Sequence, residues 1–317
     1  MRRGAHPRRT RPRSGAMIAS MADPKPESQA ESQPGPEAAL QAPSSETPSA
    51  RPAPQRRDPG SASAAPLTPG LIKAEILCVL ALSLGAAAVS AAISFLGAVT
   101  APGGLAQQSA SLVDPQAAAE WPWLDLSRQV YSLVFAFAPV ALVLYLLRRS
   151  HQSARTIGFD LRRPGHDLLT GPGLAALIGC GGLAVYVVSW QLGMTVTVRP
   201  STLEEHWWQL PVLILQAVKN GVLEEVIVVG YLMLRLDQLG WSPVRAAVAS
   251  SVLRAFYHLY QGVGMFFGNL VMGLVFCWFY RRYGRVMPLV IAHSVIDIVA
   301  FAGAVYLIGE VSWLPGG

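Results

Sequence analysis

The chain has 317 residues, of which 52% are hydrophobic and only 14% charged, and its mean hydropathy is +0.37. That balance excludes an ordinary soluble domain and fits a polytopic membrane protein. The net charge of +6 does not imply a nucleic-acid partner, because the excess sits in the N-terminal region and in short loops, where membrane orientation and lipid headgroups account for it.

Residues 1–66 are rich in Pro, Ala, Ser, Gln and Arg and carry no periodic apolar pattern. Such a segment cannot bury enough surface to offset chain entropy, so it is expected to be a disordered tail. Its start, Met-Arg-Arg-Gly-Ala-His-Pro-Arg-Arg, has no apolar run behind it and is not expected to be a signal peptide. Met17 and Met21 are alternative start positions.

Seven apolar runs follow, at about Leu71–Val99, Val130–Leu147, Leu169–Leu192, Trp207–Leu234, Pro243–Tyr260, Val263–Tyr280 and Val286–Ile308. Each is long enough for a membrane helix, so the expected fold is an all-α bundle of about seven transmembrane helices. Residues 67–206 supply about three spans, residues 207–308 about four that carry the polar groups, and 309–317 a short external tail. Loop charges set the orientation. Arg148, Arg149, Arg155, Arg162 and Arg163 follow the second run, Arg235 and Arg245 flank the fourth-to-fifth turn, and Arg281, Arg282 and Arg285 fill the last. The other loops carry mainly Asp114, Glu120, Asp125, Glu204 and Glu205. The positive-inside rule then puts the N-terminus in the cytoplasm. Trp121, Trp123, Trp207, Trp208 and Trp313 fall near the expected outer ends, as an interfacial belt would. Heavy use of Ala, Arg, Gly and Pro points to a bacterial source, and so to a bacterial plasma membrane. Cys78, Cys180 and Cys277 all lie in apolar runs without metal-type spacing and read as buried small hydrophobes.

The fourth run contains a physical anomaly. Glu224 and Glu225 sit side by side in an otherwise apolar stretch, and each charge at that depth costs roughly 2.5–3.5 kcal/mol or more. Such a pair must face a protein interior or a wet cavity, and its default reading is a functional site. Only two histidines lie in the runs, His258 on the fifth and His293 on the seventh. Asp297 follows His293 by four residues, and Arg254 precedes His258 by four, so each pair shares a helix face. Asn220 lies one turn before Glu224, and Asn269 lies in the sixth run. At 1.5 Å per residue, Glu224 is roughly 16 Å from Arg235, His293 roughly 12 Å from Arg285 and His258 roughly 20 Å from Arg245, so all three can meet near mid-bilayer.

A carboxylate, two imidazoles and a further carboxyl group in a wet pocket suit hydrolysis. The carboxylate takes a proton from water, and the imidazoles hold the water and stabilise an oxyanion. The same Glu224, His258 and His293 also offer a zinc ligand set with an open position, and spacing does not separate the two chemistries. No His-Glu-x-x-His helix is present. Taken one at a time, each feature has a plainer reading as polar glue between helices. A secondary transporter also buries charge, although no inverted repeat is visible and the polar residues crowd into the C-terminal half.

Together these residues resemble the CPBP family, the type II CAAX prenyl endopeptidases and bacteriocin-processing or immunity proteins, over about Gln216–Ala300. The family's Glu-Glu-x-x-x-Arg matches Glu224 and Glu225 but finds Val229 in place of arginine. Its Phe-x-x-x-His matches His258 but finds Arg254 in place of phenylalanine, and its His-x-x-x-Asn/Asp matches His293 and Asp297. The resemblance implies an intramembrane endopeptidase acting on a membrane-associated protein or peptide. Glu224 would be the general base, His258 would hold the water, and His293 with Asp297 would line the oxyanion side. Glu225, Arg254 and Asn269 would support them. Asp297 would have to be protonated, or act by orienting His293. The glutamate mechanism needs no metal, and is preferred here to a zinc site on Glu224, His258 and His293. The two departures also leave room for a non-enzymatic immunity or scaffold protein on the same fold. They suggest one exchange: the cation missing at 229 has moved to 254 and reaches Glu225 from the neighbouring helix. Substrate identity, prenylation and oligomeric state are not legible in the sequence.

Overall fold

A computed structural model describes residues 67–111, 121–199 and 206–307. The expected tail over 1–66, the external tail over 309–317 and Trp313 lie outside those residues. Ten α-helices and one short two-stranded sheet are found among the described residues. Four stretches are long and apolar enough to cross a membrane: Pro122–Arg149, Pro164–Gln191, Val263–Tyr283 and Met287–Val305. A bent helix pair raises the number to five. The chain is therefore a multi-pass helical membrane protein.

Helices α1 (Pro69–Ala81) and α2 (Leu84–Thr100) together cover the first apolar run but meet at 51°. The break falls where the Ser83 hydroxyl donates back to the Val79 carbonyl, a bond known to bend helices. The second run begins earlier than expected, at Pro122, and divides at Phe137 into α3 (Pro122–Ala136) and α4 (Ala138–Arg149). Pro139 has no N–H for the preceding turn, which accounts for the division. Helix α5 (Pro164–Gln191) continues through an internal Pro172.

The fourth run is helical from Gln209 to Gln238 but not uniform. Helix α6 (Gln209–Glu224) passes into a π-helical turn over Glu225–Tyr231 before α7 (Leu232–Gln238) resumes. In the wide turn the Leu232 N–H reaches back five residues to the Ile227 carbonyl, and the Val228 carbonyl is taken by the Ser250 hydroxyl at 2.8 Å. A π turn of this kind is rare and often marks a functional position. The fifth run departs further from expectation. Helix α8 is only Pro243–Tyr257 and ends at His258, which begins a 3₁₀ turn over Leu259–Gln261. Fifteen residues rise about 22 Å, short of a hydrocarbon core of about 30 Å. Gly262 then turns the chain at φ +106°, and α9 (Val263–Tyr283) runs back beside α8. Helix α10 (Met287–Leu307) packs on α5 and α6, and α2 packs on α8.

The α6–α10 contact is unusually close. A Cβ added at Gly221 would lie 2.5 Å from Ser294 Oγ and 2.8 Å from the Val290 carbonyl oxygen. One turn later along α6 stands Glu225, and beside Ser294 stands His293, so this approach sets the spacing of two site residues. Strands β1 (Ser109–Ser111) and β2 (Thr197–Arg199) pair in parallel next to the α2 terminus.

Several side chains correct the sequence reading. Cys277 is buried, but Cys78 and Cys180 are exposed on the bundle exterior. In a lipid-facing position a small apolar thiol has no need of burial. Trp121, Trp123 and Trp207 are exposed, whereas Trp208 is buried against Val212, Leu213 and Phe301 rather than belonging to a belt. Three of the loop arginines are paired with acids. Arg235 is fully buried and lies 3.0 Å from Glu75, Arg285 binds Asp167 and Asp160, and Arg281 binds Asp237. The positive-inside argument counts such arginines regardless of their partners.

Candidate active site

Glu224, Glu225, Arg254, His258, His293 and Asp297 converge from three helices. Glu224 closes α6, and Glu225 opens the π turn, where it is fully buried. Arg254, Tyr257 and His258 are spaced i, i+3, i+4 on α8 and its cap, and so present one face to the Glu pair. His293 and Asp297 come from α10.

Arg254 is the hub. Its Nη2 donates to both oxygens of Glu225 at 2.7 and 2.9 Å, and its Nη1 donates to Glu224 Oε2 at 3.3 Å. The guanidinium lies over the Phe276 ring, 5.5 Å from its centroid. A cation is thus present on the neighbouring helix, with one terminal nitrogen straddling the Glu225 carboxylate and the other reaching Glu224. Val229 itself is fully buried among apolar side chains.

Glu225 Oε1 also accepts from His293 Nδ1 at 2.6 Å. A carboxylate can only accept, so Nδ1 carries the proton and the ring turns Nε2 inward. That Nε2 lies 3.8 Å from Glu224 Oε2 and 3.7 Å from Asp297 Oδ1. Glu225 therefore orients His293, the role that the sequence reading offered Asp297 as one of two alternatives. Asp297 Oδ2 accepts from Asn220 Nδ2 at 3.0 Å, which joins Asn220 to the cluster. Asn269 does not join it: its amide donates to the Met265 carbonyl of its own helix at 3.0 Å.

His258 faces the same oxygen from the other side. Its Nε2 is 3.6 Å from Glu224 Oε2, and it is buried without a hydrogen-bond partner among the described residues. The Gln261 amide approaches its Nδ1 at 3.4 Å. Sequence reasoning missed Tyr257, whose buried hydroxyl donates to Glu224 Oε2 at 2.8 Å. The signal was available, since Tyr257 lies three residues after Arg254 on the face already assigned to the site.

Atoms of Glu224, Glu225 and His293 lie within 4.8 Å of one another, a spacing that a metal ion could use. The donors argue against that set. Both oxygens of Glu225 are engaged by a guanidinium, and one of them also by His293. A divalent cation there would sit against a buried positive charge.

A buried carboxylate–imidazole cluster held by α6, α8 and α10 defines the class: a multi-pass helical membrane protein with ionisable groups gathered in its interior. Residues 206–299, just under a third of the chain, match the family described as Type II CAAX prenyl endopeptidase Rce1-like. That match points to a protease, and every clustered residue falls within it. No curated protein matches the chain, and no solved structure does.

Proposed function

We propose that the chain is an intramembrane endopeptidase that cleaves a peptide bond of a membrane-associated protein or peptide with a water activated by Glu224. The observation that carries this reading is the buried, unpartnered His258 Nε2 at 3.6 Å from Glu224 Oε2. The two atoms are too close for a water between them, but a single water lying beside the pair can hydrogen-bond to both at about 2.8 Å. Glu224 takes the water's proton while His258 holds its oxygen for attack on the scissile carbonyl carbon. The tetrahedral oxyanion is stabilised by His293 acting as the imidazolium, with its Nδ1–H held by Glu225 and its Nε2–H directed into the cluster. Collapse breaks the C–N bond, and the proton held by Glu224 passes to the leaving amine. Glu225 and Arg254 form the frame that keeps these groups in register.

In this reading no metal takes part. The fourth and fifth runs complete about seven membrane-associated helices, the N-terminus is cytoplasmic, and the membrane is the plasma membrane of a bacterium. The family name supplies one candidate substrate class, prenylated CAAX proteins. The test is cleavage of a membrane-embedded reporter by the full chain and by Glu224→Gln. The variant should insert normally and lose all cleavage. Turnover equal to wild type would overturn the assignment.

A further inference from the structure

The reading above leaves Tyr257 without a task. It is 5% exposed, at the last position of α8, beside His258 with ring centroids 4.8 Å apart. Its hydroxyl makes the shortest hydrogen bond that Glu224 receives, 2.8 Å against 3.3 Å from Arg254. Both bonds end on Oε2, the oxygen that lies 3.6 Å from His258 Nε2 and 3.8 Å from His293 Nε2. Two donors from one helix thus pin a single carboxylate oxygen between the two imidazoles. Arg254 has Glu225 as its main partner, so the finer placement of Glu224 falls to the tyrosine.

Tyr257 also lines an open depression of about 590 Å³. Its walls are Ala87, Ala91 and Ser94 of α2, the β1 segment and Tyr260. Tyr257 therefore belongs to both the base and the space next to it. A phenol suits such a place because its ring is apolar and its hydroxyl polar.

We propose that Tyr257 is a positioning residue for the reaction: its hydroxyl holds the Glu224 carboxylate in register with His258 and His293, while the residue lines the depression beside α2. The proposal rests on the endopeptidase reading for its rate consequences, but not for the hydrogen bond itself. Misplacing a reacting group by about 1 Å costs about 10²-fold. Tyr257→Phe keeps the ring and removes only the hydroxyl.

Two measurements test it on the full chain in detergent micelles. The first uses a fluorogenic membrane-embedded peptide that wild type cleaves and Glu224→Gln does not. Tyr257→Phe should lower kcat by about 10- to 100-fold, with KM within about twofold of wild type. A KM effect with kcat unchanged would reassign the residue to substrate binding and overturn the proposal. The second needs no activity. The unfolding midpoint should fall on Tyr257→Phe in the wild-type background and fall clearly less when the substitution is made in Glu224→Gln, where a neutral amide oxygen replaces the charged acceptor. Equal falls in both backgrounds would overturn the proposal even if no cleavable peptide were found. If Glu224→Gln cleaves normally while the midpoints still show the coupling, it is the endopeptidase reading that fails, and Tyr257 remains the anchor of Glu224.

Discussion

Replacing Arg254 by phenylalanine would restore the family's second pattern at that position while removing the guanidinium that touches both members of the Glu pair. The structure shows what is lost: two bonds to Glu225 at 2.7 and 2.9 Å and one to Glu224 at 3.3 Å, all made by a guanidinium with no exposed surface. The ring itself is tolerable, since Phe276 already packs on this site. The cost comes from two adjacent carboxylates left in the bundle interior with only Tyr257 on Glu224 and His293 on Glu225 for support. Removing one partner of a buried ion pair costs about 3–5 kcal/mol. Protonation of one carboxyl relieves part of this, so we expect about 3–4 kcal/mol. That is a large share of the roughly 5–15 kcal/mol by which a folded chain is stable. The assay is denaturant unfolding in detergent, with reporter cleavage measured in parallel. Adding Val229→Arg to Arg254→Phe puts the cation one turn after Glu225, as the family has it, and should recover at least half of the lost stability. Arg254→Phe as stable as wild type, or a double mutant no better than the single, would refute the exchange.

Further outcomes follow from the same geometry. His258→Ala and His293→Ala should each reduce cleavage by about 10²–10⁴-fold, as loss of a proton-transfer or oxyanion group does, and undiminished turnover in either would remove that residue from the mechanism. Extensive dialysis against a strong chelator should leave activity unchanged; loss on dialysis with recovery on added zinc would establish a metal-activated water instead. Gly221→Ala should cost about 1–3 kcal/mol, because its Cβ would meet Ser294 Oγ at 2.5 Å, and should reduce cleavage by moving His293 away from Glu225. A fully active, fully stable Gly221→Ala variant would show that α6 and α10 can separate without consequence.

Much of the site was legible because charge in an apolar run is conspicuous. Glu224, Glu225, His258, His293 and Arg254 stood out for that reason, and helical spacing paired them correctly across α8 and α10. Asn269 stood out equally and was misleading, since an amide inside a helix can satisfy itself on the preceding turn, as its bond to Met265 shows. Tyr257 was overlooked for the opposite reason: a tyrosine in an apolar helix attracts no notice until its hydroxyl is seen to have a partner. The helix lengths were the least legible part. The run Pro243–Tyr260 is expected from its sequence to be one span, but α8 ends at Tyr257, and the chain reverses at Gly262, where only glycine takes φ +106° against the Met194 carbonyl.

That early end to α8 and the π turn after Glu224 are connected steps of one construction. A straight α-helix through residues 209–238 would place Glu224 and Glu225 about 100° apart around its axis, the rotation of 3.6 residues per turn. Both keep ordinary helical backbone angles here, φ −71°, ψ −47° and φ −73°, ψ −36°, so the offset persists and Arg254 is what reaches both carboxylates. The wider turn beginning at Glu225 adds a residue to the path, and its spare Val228 carbonyl is taken by Ser250 of α8. The same α8 supplies Arg254, which holds both carboxylates together, and ends at Tyr257, whose hydroxyl reaches Glu224. Ending there leaves His258 at a cap instead of inside a continuous helix, with its Nε2 turned to the glutamate. The short helix and the distorted one thus fit each other, and the hydrogen bonds between them are the means by which two adjacent glutamates come to occupy one site.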